Sequence, residues 1–122
     1  MERIAAVIRG AEVHKIYDLF SHKPAGLGFN ETEALVVIGM TEDGRLVQDT
    51  FYLCLKADGT FDQHPMGRDA VKYRRHRLAS FLKYYKMTDD VRNYKLREGL
   101  KDWIGKRVEV DQVDENLAIY AP

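Results

Sequence analysis

Apolar residues change their spacing twice along this chain, and this change most constrains the fold. Residues 34–40 form a short apolar run and residues 51–56 alternate between apolar and other side chains, which is typical of strands. Residues 69–86 instead space their apolar positions three or four apart, as a helix does. Alternation returns in residues 107–120. Strands, then helical sequence, then strands predict an α+β architecture, a small and mostly antiparallel β-barrel or sheet.

Turn-forming residues place the strand boundaries. β-branched residues in the first 13 positions favour an opening strand, and Pro and Gly between residues 21 and 32 indicate a long loop. Asp43-Gly44 lies between two apolar runs and predicts a hairpin. A second turn is expected at residues 57–60, before a short edge piece that Pro65 ends.

Two helices are predicted before the final strands. The first runs from about Asp69 to Lys86, and the second from an N-cap at Thr88 to Ile104, with Gly105 following it. The first helix has Lys72, Arg75, Ala79, Lys83 and Lys86 on a face away from its apolar stripe. The second is expected to bury Leu96, Leu100, Trp103 and Ile104. A turn at residues 114–116 then makes a C-terminal hairpin.

Length and cysteine content suggest a compartment and a domain count. The 122 residues suit a single globular domain, residues 1–122. Cys54 is the only cysteine, so no internal disulfide can form, and a reducing setting fits best. The start of the chain lacks the apolar region of a signal peptide, and no stretch approaches a membrane span. We therefore expect a soluble, cytoplasmic protein, or a nuclear one if its host has a nucleus.

Zero net charge conceals two opposite blocks. Residues 67–107 hold 13 Lys or Arg against five Asp or Glu, and the remainder holds six against 14. Such asymmetry predicts an interaction face for a polyanion. The alternative is that the fold interleaves the blocks and their fields cancel.

Catalytic and metal-binding motifs find little support. The segment GLGFNE lacks the third glycine and the Lys-Ser/Thr pair of a phosphate-binding loop. The four histidines are scattered, and none stands at zinc-ligand spacing from Cys54. We therefore expect no catalytic residues, no metal and no cofactor. An enzyme built around Cys54 and a histidine stays an open alternative.

The strongest functional signal is the segment KYRRHRLASFLKYYKM, residues 72–87, which places six Lys or Arg among three Tyr and a Phe. Cations bind phosphates and aromatic rings stack on bases, and only single strands expose their base faces fully. The alternative is a solvated helix exterior. The three arginines of this segment are expected on the surface. The predicted nucleic-acid-binding cations are Lys72, Arg74, Arg75, Arg77, Lys83 and Lys86, with Tyr73, Tyr84 and Tyr52 as stacking rings.

The chain also resembles small OB-fold single-stranded DNA-binding proteins of phages and mobile elements. RIAAVIRGAEV is similar to their opening strand, ALVVIGMTEDGRLVQDTFYLCL to their hairpin, RLASFLKYY to the inserted helix and DWIGKRVEVDQVDENLAIY to the closing unit. The predicted second helix and the loop at residues 22–32 are longer than that layout needs. The resemblance implies largely sequence-independent single-strand binding on the barrel face. By position it adds Phe51, Tyr52, Arg45, Lys106 and Arg107 as candidates.

Two further hypotheses concern partners. The chain could be a protein-interaction module without catalysis, such as a small inhibitor or accessory subunit that docks through its opposite charge blocks. The oligomeric state stays open. A homodimer is one possibility because the terminal hairpin could present an exposed edge.

Overall fold

A computed structural model describes residues 3–29, 31–62 and 68–122 of the chain. Within these ranges, five strands and three short helices follow the order β1, α1, β2, β3, α2, α3, β4, β5. The strands are β1 (Arg3–Lys15), β2 (Glu33–Thr41), β3 (Leu46–Leu53), β4 (Arg107–Val113) and β5 (Asn116–Ile119). The helices are α1 (Ile16–Leu19), α2 (Asp69–Tyr84) and α3 (Leu96–Gly99), with 3-10 turns at Val91–Asn93 and Leu100–Trp103.

The five strands form one antiparallel sheet in the order β3-β2-β1-β4-β5. The long strand β1 serves two neighbours: its first residues, Arg3 to Val7, pair with β4, and residues 6–15 pair with β2. A bulge at Arg9 shifts the register between Ile8 and Gly10, and such a bulge lets a strand bend and twist more strongly. The sheet therefore curls into a nearly closed, OB-like barrel with α2 inserted between β3 and β4.

The edge strands β3 and β5 meet through side chains, at what we call the β3–β5 seam. The Asp49 carboxylate on β3 accepts a hydrogen bond from the Ile119 amide on β5, at 3.1 Å between Oδ2 and N. The Arg77 guanidinium from α2 donates to the same carboxylate oxygen at 2.6 Å and to the Ile119 carbonyl oxygen at 2.8 Å. Two charged side chains thus link the strands that close the barrel.

The core lies between the barrel interior and the inner side of α2. Phe81 on α2 is fully buried, and its ring centroid lies 5.0 Å from that of Phe51 on β3 and 5.4 Å from that of Trp103. Close ring contacts of this kind bury large apolar areas in one place. This packing fixes the rotation of α2 about its axis, and therefore decides which of its residues face solvent.

The predicted fold class is confirmed, as are the first helix, the Asp43-Gly44 hairpin and the C-terminal hairpin. The predicted second helix is wrong, because residues 91–103 form a 3-10 turn, a single α-turn and another 3-10 turn. Ile104 is exposed although Trp103 is buried. Trp103 donates a hydrogen bond from Nε1 to the Tyr94 hydroxyl at 2.8 Å, so this segment folds back on itself instead of extending.

Two remaining sequence predictions concern the edge piece and the membrane. Leu55 and Phe61 form an isolated antiparallel bridge, and residues 63–65 of the expected edge piece lie outside the described residues. Within the described part of the chain, no helix combines the length and apolar character that a membrane crossing requires.

Candidate nucleic-acid interface

The predicted cations of α2 are divided between two faces of the helix. Positions 71, 75, 78 and 82 share the side that packs on the barrel, because their spacing follows the 3.6-residue period. Arg74 and Arg77 flank this buried side, whereas Lys72 and Lys83 point to solvent. We call these the inner face (Arg74, Arg75 and Arg77) and the outer face (Lys72, Tyr73, His76, Ser80, Lys83 and Tyr84).

Arg75 is a structural residue. Its side chain is 0% exposed, and its Nε lies 2.8 Å from Oδ1 of Asp62. Its guanidinium also donates to the carbonyl oxygen of Tyr52 on β3. The predictions that Arg75 faces solvent and contacts nucleic acid are wrong, because its charge is already satisfied inside the protein.

Arg74 fastens the connection between β1 and β2, residues 16–32, to α2. Its guanidinium donates to both carboxylate oxygens of Glu31, at 2.6 Å for the Nε–Oε2 contact, and to the carbonyl oxygen of Gly26 at 3.1 Å. Glu31 is fully buried and also accepts a hydrogen bond from the Gly28 amide at 2.9 Å. The hydrogen bonds to Glu31 raise the pKa of Arg74 above its ordinary value. We call this pair the Glu31–Arg74 latch.

Arg77 completes the inner face at the β3–β5 seam. Besides its bonds to Asp49 and Ile119, its guanidinium carbon lies 4.6 Å from the centroid of the Phe51 ring. Phe51 itself is buried, so it cannot serve as the stacking residue that the resemblance implied. Arg74 and Arg77 are partly buried and ion-paired, which makes the prediction of three surface arginines wrong as a set.

The predicted cations and rings of the outer face are exposed to solvent. Tyr73 is 66% exposed, and Lys72 and Lys83 are exposed, with no ion pair to either lysine among the described residues. Tyr84 is 42% exposed, but its hydroxyl donates to Oε2 of Glu109 at 2.5 Å, and this hydrogen bond raises the pKa of Tyr84. Lysine side chains that lack a fixed partner can exchange their water for phosphate oxygens.

The other predicted residues lie elsewhere. Lys86 follows α2, and its carbonyl oxygen accepts a hydrogen bond from Nζ of Lys106 at 3.3 Å. Tyr52 on β3 is half-buried. Arg45, at the β2–β3 hairpin, pairs with Asp43 at 2.8 Å, and this contact holds the pKa of Asp43 at about 2. Arg107 is exposed at the start of β4. The structure therefore does not gather Arg45 and Arg107 onto α2 with the lysines.

Several exposed rings on the β1–β2 connection were missed by the sequence analysis. Phe29 is 94% exposed, Tyr17 is 69% exposed and Phe20 is also exposed. The Glu31–Arg74 latch holds this connection against α2. The usable signal was Phe29 inside the GLGFNE segment, because a large ring within a predicted loop can be displayed to solvent.

The two charge blocks neutralise each other in part. In the described part of the chain, four of the 13 cations in residues 67–107 pair with acids from outside that block: Arg74 with Glu31, Arg75 with Asp62, Arg77 with Asp49 and Arg107 with Glu42. Among the Lys and Arg side chains of the described residues, only arginines form ion pairs with carboxylates. The positive field that remains is therefore mainly that of the lysines.

Metal-binding side chains do not cluster in the described part of the chain, where no group of three or more His, Cys, Asp or Glu could hold an ion. Cys54 is half-buried just after β3, with Sγ 3.9 Å from the Leu55 carbonyl oxygen. Comparisons of the chain with protein-family models, with curated proteins and with solved structures found no match.

Proposed function

We propose that this protein binds single-stranded nucleic acid, with DNA as the expected ligand, without strong sequence preference. One observation carries the proposal. Exposed lysines lie on the outer face of α2, and exposed rings lie on the neighbouring β1–β2 connection. Lys72 and Lys83 supply charge for phosphates, and Tyr73 and Phe29 supply flat surfaces for bases. The OB-like barrel supports the proposal as a scaffold that many single-strand binders share.

The inner face has a positioning role in this proposal. The Glu31–Arg74 latch bonds both to the carbonyl of Gly26 and to the amide of Gly28, immediately before Phe29. A loop held at these points loses less entropy when a base stacks on its ring. Arg74 therefore contributes to binding by ordering the loop and makes no contact with phosphate.

The direct test is a titration of a fluorescent single-stranded oligonucleotide at two salt concentrations. We expect saturable binding at low salt that weakens steeply at high salt, because each neutralised phosphate releases counterions. Absence of binding at low salt would refute the proposal. A duplex of the same sequence should bind more weakly, since its bases are already stacked on one another.

Charge-reversal variants locate the site. The double variant Lys72→Glu/Lys83→Glu should lose binding. The control variant Lys95→Glu/Lys101→Glu, at two exposed lysines between α2 and β4, makes the same change in net charge without touching the outer face. Equal losses from both would mean that binding follows total charge only. Loss in Lys72→Glu/Lys83→Glu alone would place the nucleic acid on α2.

A tryptophan introduced in place of Phe29 reports on stacking. The native Trp103 is 1% exposed, so the Phe29→Trp variant adds a second, exposed indole whose emission dominates any response to ligand. Stacked bases should quench this emission while affinity stays near that of the parent protein. An affinity unchanged in Phe29→Ala, together with unquenched emission from the introduced indole, would remove the ring from the site.

A further inference from the structure

A pocket of about 280 Å³ lies on the outer surface of the barrel, away from α2, where β1, β2 and β4 run side by side. Cross-strand pairing brings Met40 on β2, Val7 on β1 and Arg107 on β4 into one row. Ala5 extends the apolar floor beside Val7. The volume is near the lower end of the ~300–1,000 Å³ range of small-molecule sites, so a small ligand suits it.

The bulge in β1 adds a second cation to this pocket. Register shifts between Ile8 and Gly10, which leaves Arg9 as the extra residue, exposed at the rim of the pocket. In the described residues, no carboxylate forms an ion pair with Arg9. Bulges often redirect a side chain towards a functional surface, and here the redirected side chain is a guanidinium.

Arg107 faces the same pocket with only a loose partner. Its Nη2 lies 3.5 Å from Oε1 of Glu42, and the two side chains are 76% and 68% exposed. An exposed ion pair of this kind contributes little and is readily exchanged. A phosphate group could therefore replace Glu42, and it would meet two guanidinium forks whose geometry matches its oxygens.

We propose that this pocket binds one nucleoside phosphate, with the phosphate between Arg9 and Arg107 and the flat base over Val7 and Met40. The choice of a nucleoside rests on the proposed function, while the choice of a phosphate rests on the two arginines. The ligand is either a free mononucleotide or a terminal nucleotide of a bound strand. No bond is made or broken.

The pocket offers its own spectroscopic probe in the methyl group of Met40. Protein labelled with ¹³C at the methionine methyl groups is titrated with deoxyadenosine monophosphate, inorganic phosphate and deoxyadenosine. We expect the Met40 signal to shift saturably with the monophosphate and about tenfold more weakly with either fragment. Met87, which follows α2, serves as the internal control. A Met40 signal that stays fixed would overturn the proposal.

Variants of opposite sign sharpen the test. Arg9→Ala and Arg107→Ala should each weaken monophosphate binding about tenfold, whereas Glu42→Gln should strengthen it by removing the competing carboxylate. Arg97→Ala, an exposed arginine on α3, is the matched control and should change nothing. Unchanged affinity in Arg9→Ala would overturn the assignment.

Oligonucleotides with and without a 5′-phosphate separate the two sources of ligand. Competition for the pocket by the phosphorylated strand alone identifies a strand terminus, and competition by neither identifies a free mononucleotide. Monophosphate binding without any oligonucleotide binding would support the pocket and refute the proposed function. Oligonucleotide binding that leaves the Met40 signal unchanged, and that is equally strong in the Arg9→Ala variant, would support the proposed function and refute the pocket.

Discussion

The two faces of α2 use the same charge for opposite purposes. On the inner face, Arg74, Arg75 and Arg77 reach acids on three different segments: Glu31 before β2, Asp62 after β3 and Asp49 on β3. On the outer face, Lys72 and Lys83 reach solvent. The basic segment is therefore both a structural tie between distant parts of the chain and an exposed positive surface.

Side-chain chemistry accounts for this division. A guanidinium presents several donors in a planar fork and loses less hydration on burial, so it can bond a carboxylate and a backbone carbonyl together. Arg75 and Arg77 both do so, with Tyr52 and Ile119 as the carbonyl partners. A lysine ammonium is more strongly hydrated and favours the surface. In this helix the identity of the cation, more than its position in the basic run, indicates its role.

Removal of Arg75 should have the largest effect. The variant Arg75→Leu leaves the Asp62 carboxylate and the Tyr52 carbonyl without their donor, and breaking a buried pair costs about 3–5 kcal/mol. Urea unfolding followed by circular dichroism measures this loss. Lys72→Leu on the same helix is the control and should stay within about 0.5 kcal/mol. Similar losses in both variants would erase the distinction between the faces.

Opening the β3–β5 seam should have the next largest effect. Asp49→Ala removes the acceptor for Arg77 and for the Ile119 amide, and charge-assisted hydrogen bonds contribute about 1.5–3 kcal/mol. Hydrogen exchange should show the Ile119 amide losing protection before amides of β1. Protection that stays uniform across both strands would mean that the core, and not these side chains, closes the barrel.

Tyr85, at the end of α2, should make the stability of the protein depend on pH. Burial raises its pKa from 10 to about 12, and its hydroxyl donates to the Tyr120 carbonyl oxygen at 2.7 Å. Because the folded pKa exceeds the unfolded one, this stabilisation is complete below pH 10 and is lost as pH rises towards 12.

The variant Tyr85→Phe isolates that contribution. It should lower the free energy of unfolding by about 1 kcal/mol at neutral pH. The difference between parent and variant should shrink between pH 10 and pH 12. A difference that stays constant over this range in urea titrations would contradict the assignment.

The smallest effect on folding should come from the outer face. Lys72→Ala and Lys83→Ala should each leave stability within about 0.5 kcal/mol of the parent. Each should nevertheless reduce the slope of log affinity against log salt by about 1 for an oligonucleotide, if each lysine contacts one phosphate. A measurable loss of stability with an unchanged salt slope would invert the comparison between the faces.

Much of the fold was predictable, because strand alternation and helical spacing are local signals. The hairpin at Asp43-Gly44 and the helix from Asp69 followed from a few neighbouring residues each. The segment at residues 91–103 was mispredicted because its helix-like apolar spacing competes with tertiary packing around Trp103. Tertiary contacts routinely override such local preferences.

The candidate site was less predictable, because its layout depends on partners distant in sequence. Arg74 and Glu31 are 43 residues apart, and nothing near either one indicates the pair. The rule that charged helix residues face solvent held for Lys72 and failed for Arg75, because its partner Asp62 lies before α2 in the sequence. The loop that carries Phe29 is likewise held by a long-range contact, between Arg74 and the Gly26 carbonyl.

The bulge at Arg9 also changes which side chains of β1 face the core of the barrel. Before it, Ala6 and Ile8 point inward; after it, Ala11 and Val13 do. The inward positions change from even to odd numbers at this one extra residue. A chain without Arg9 would keep every pair of β1, because Ile8 would still oppose Gly39 and Gly10 would still oppose Ile38, while the β4 pairs all lie before the bulge. A deletion would remove only the extra bend and twist that a bulge gives a strand. Substitutions at position 9 should therefore be tolerated by the fold, whereas a deletion should reduce the curl of the sheet and weaken the β3–β5 seam.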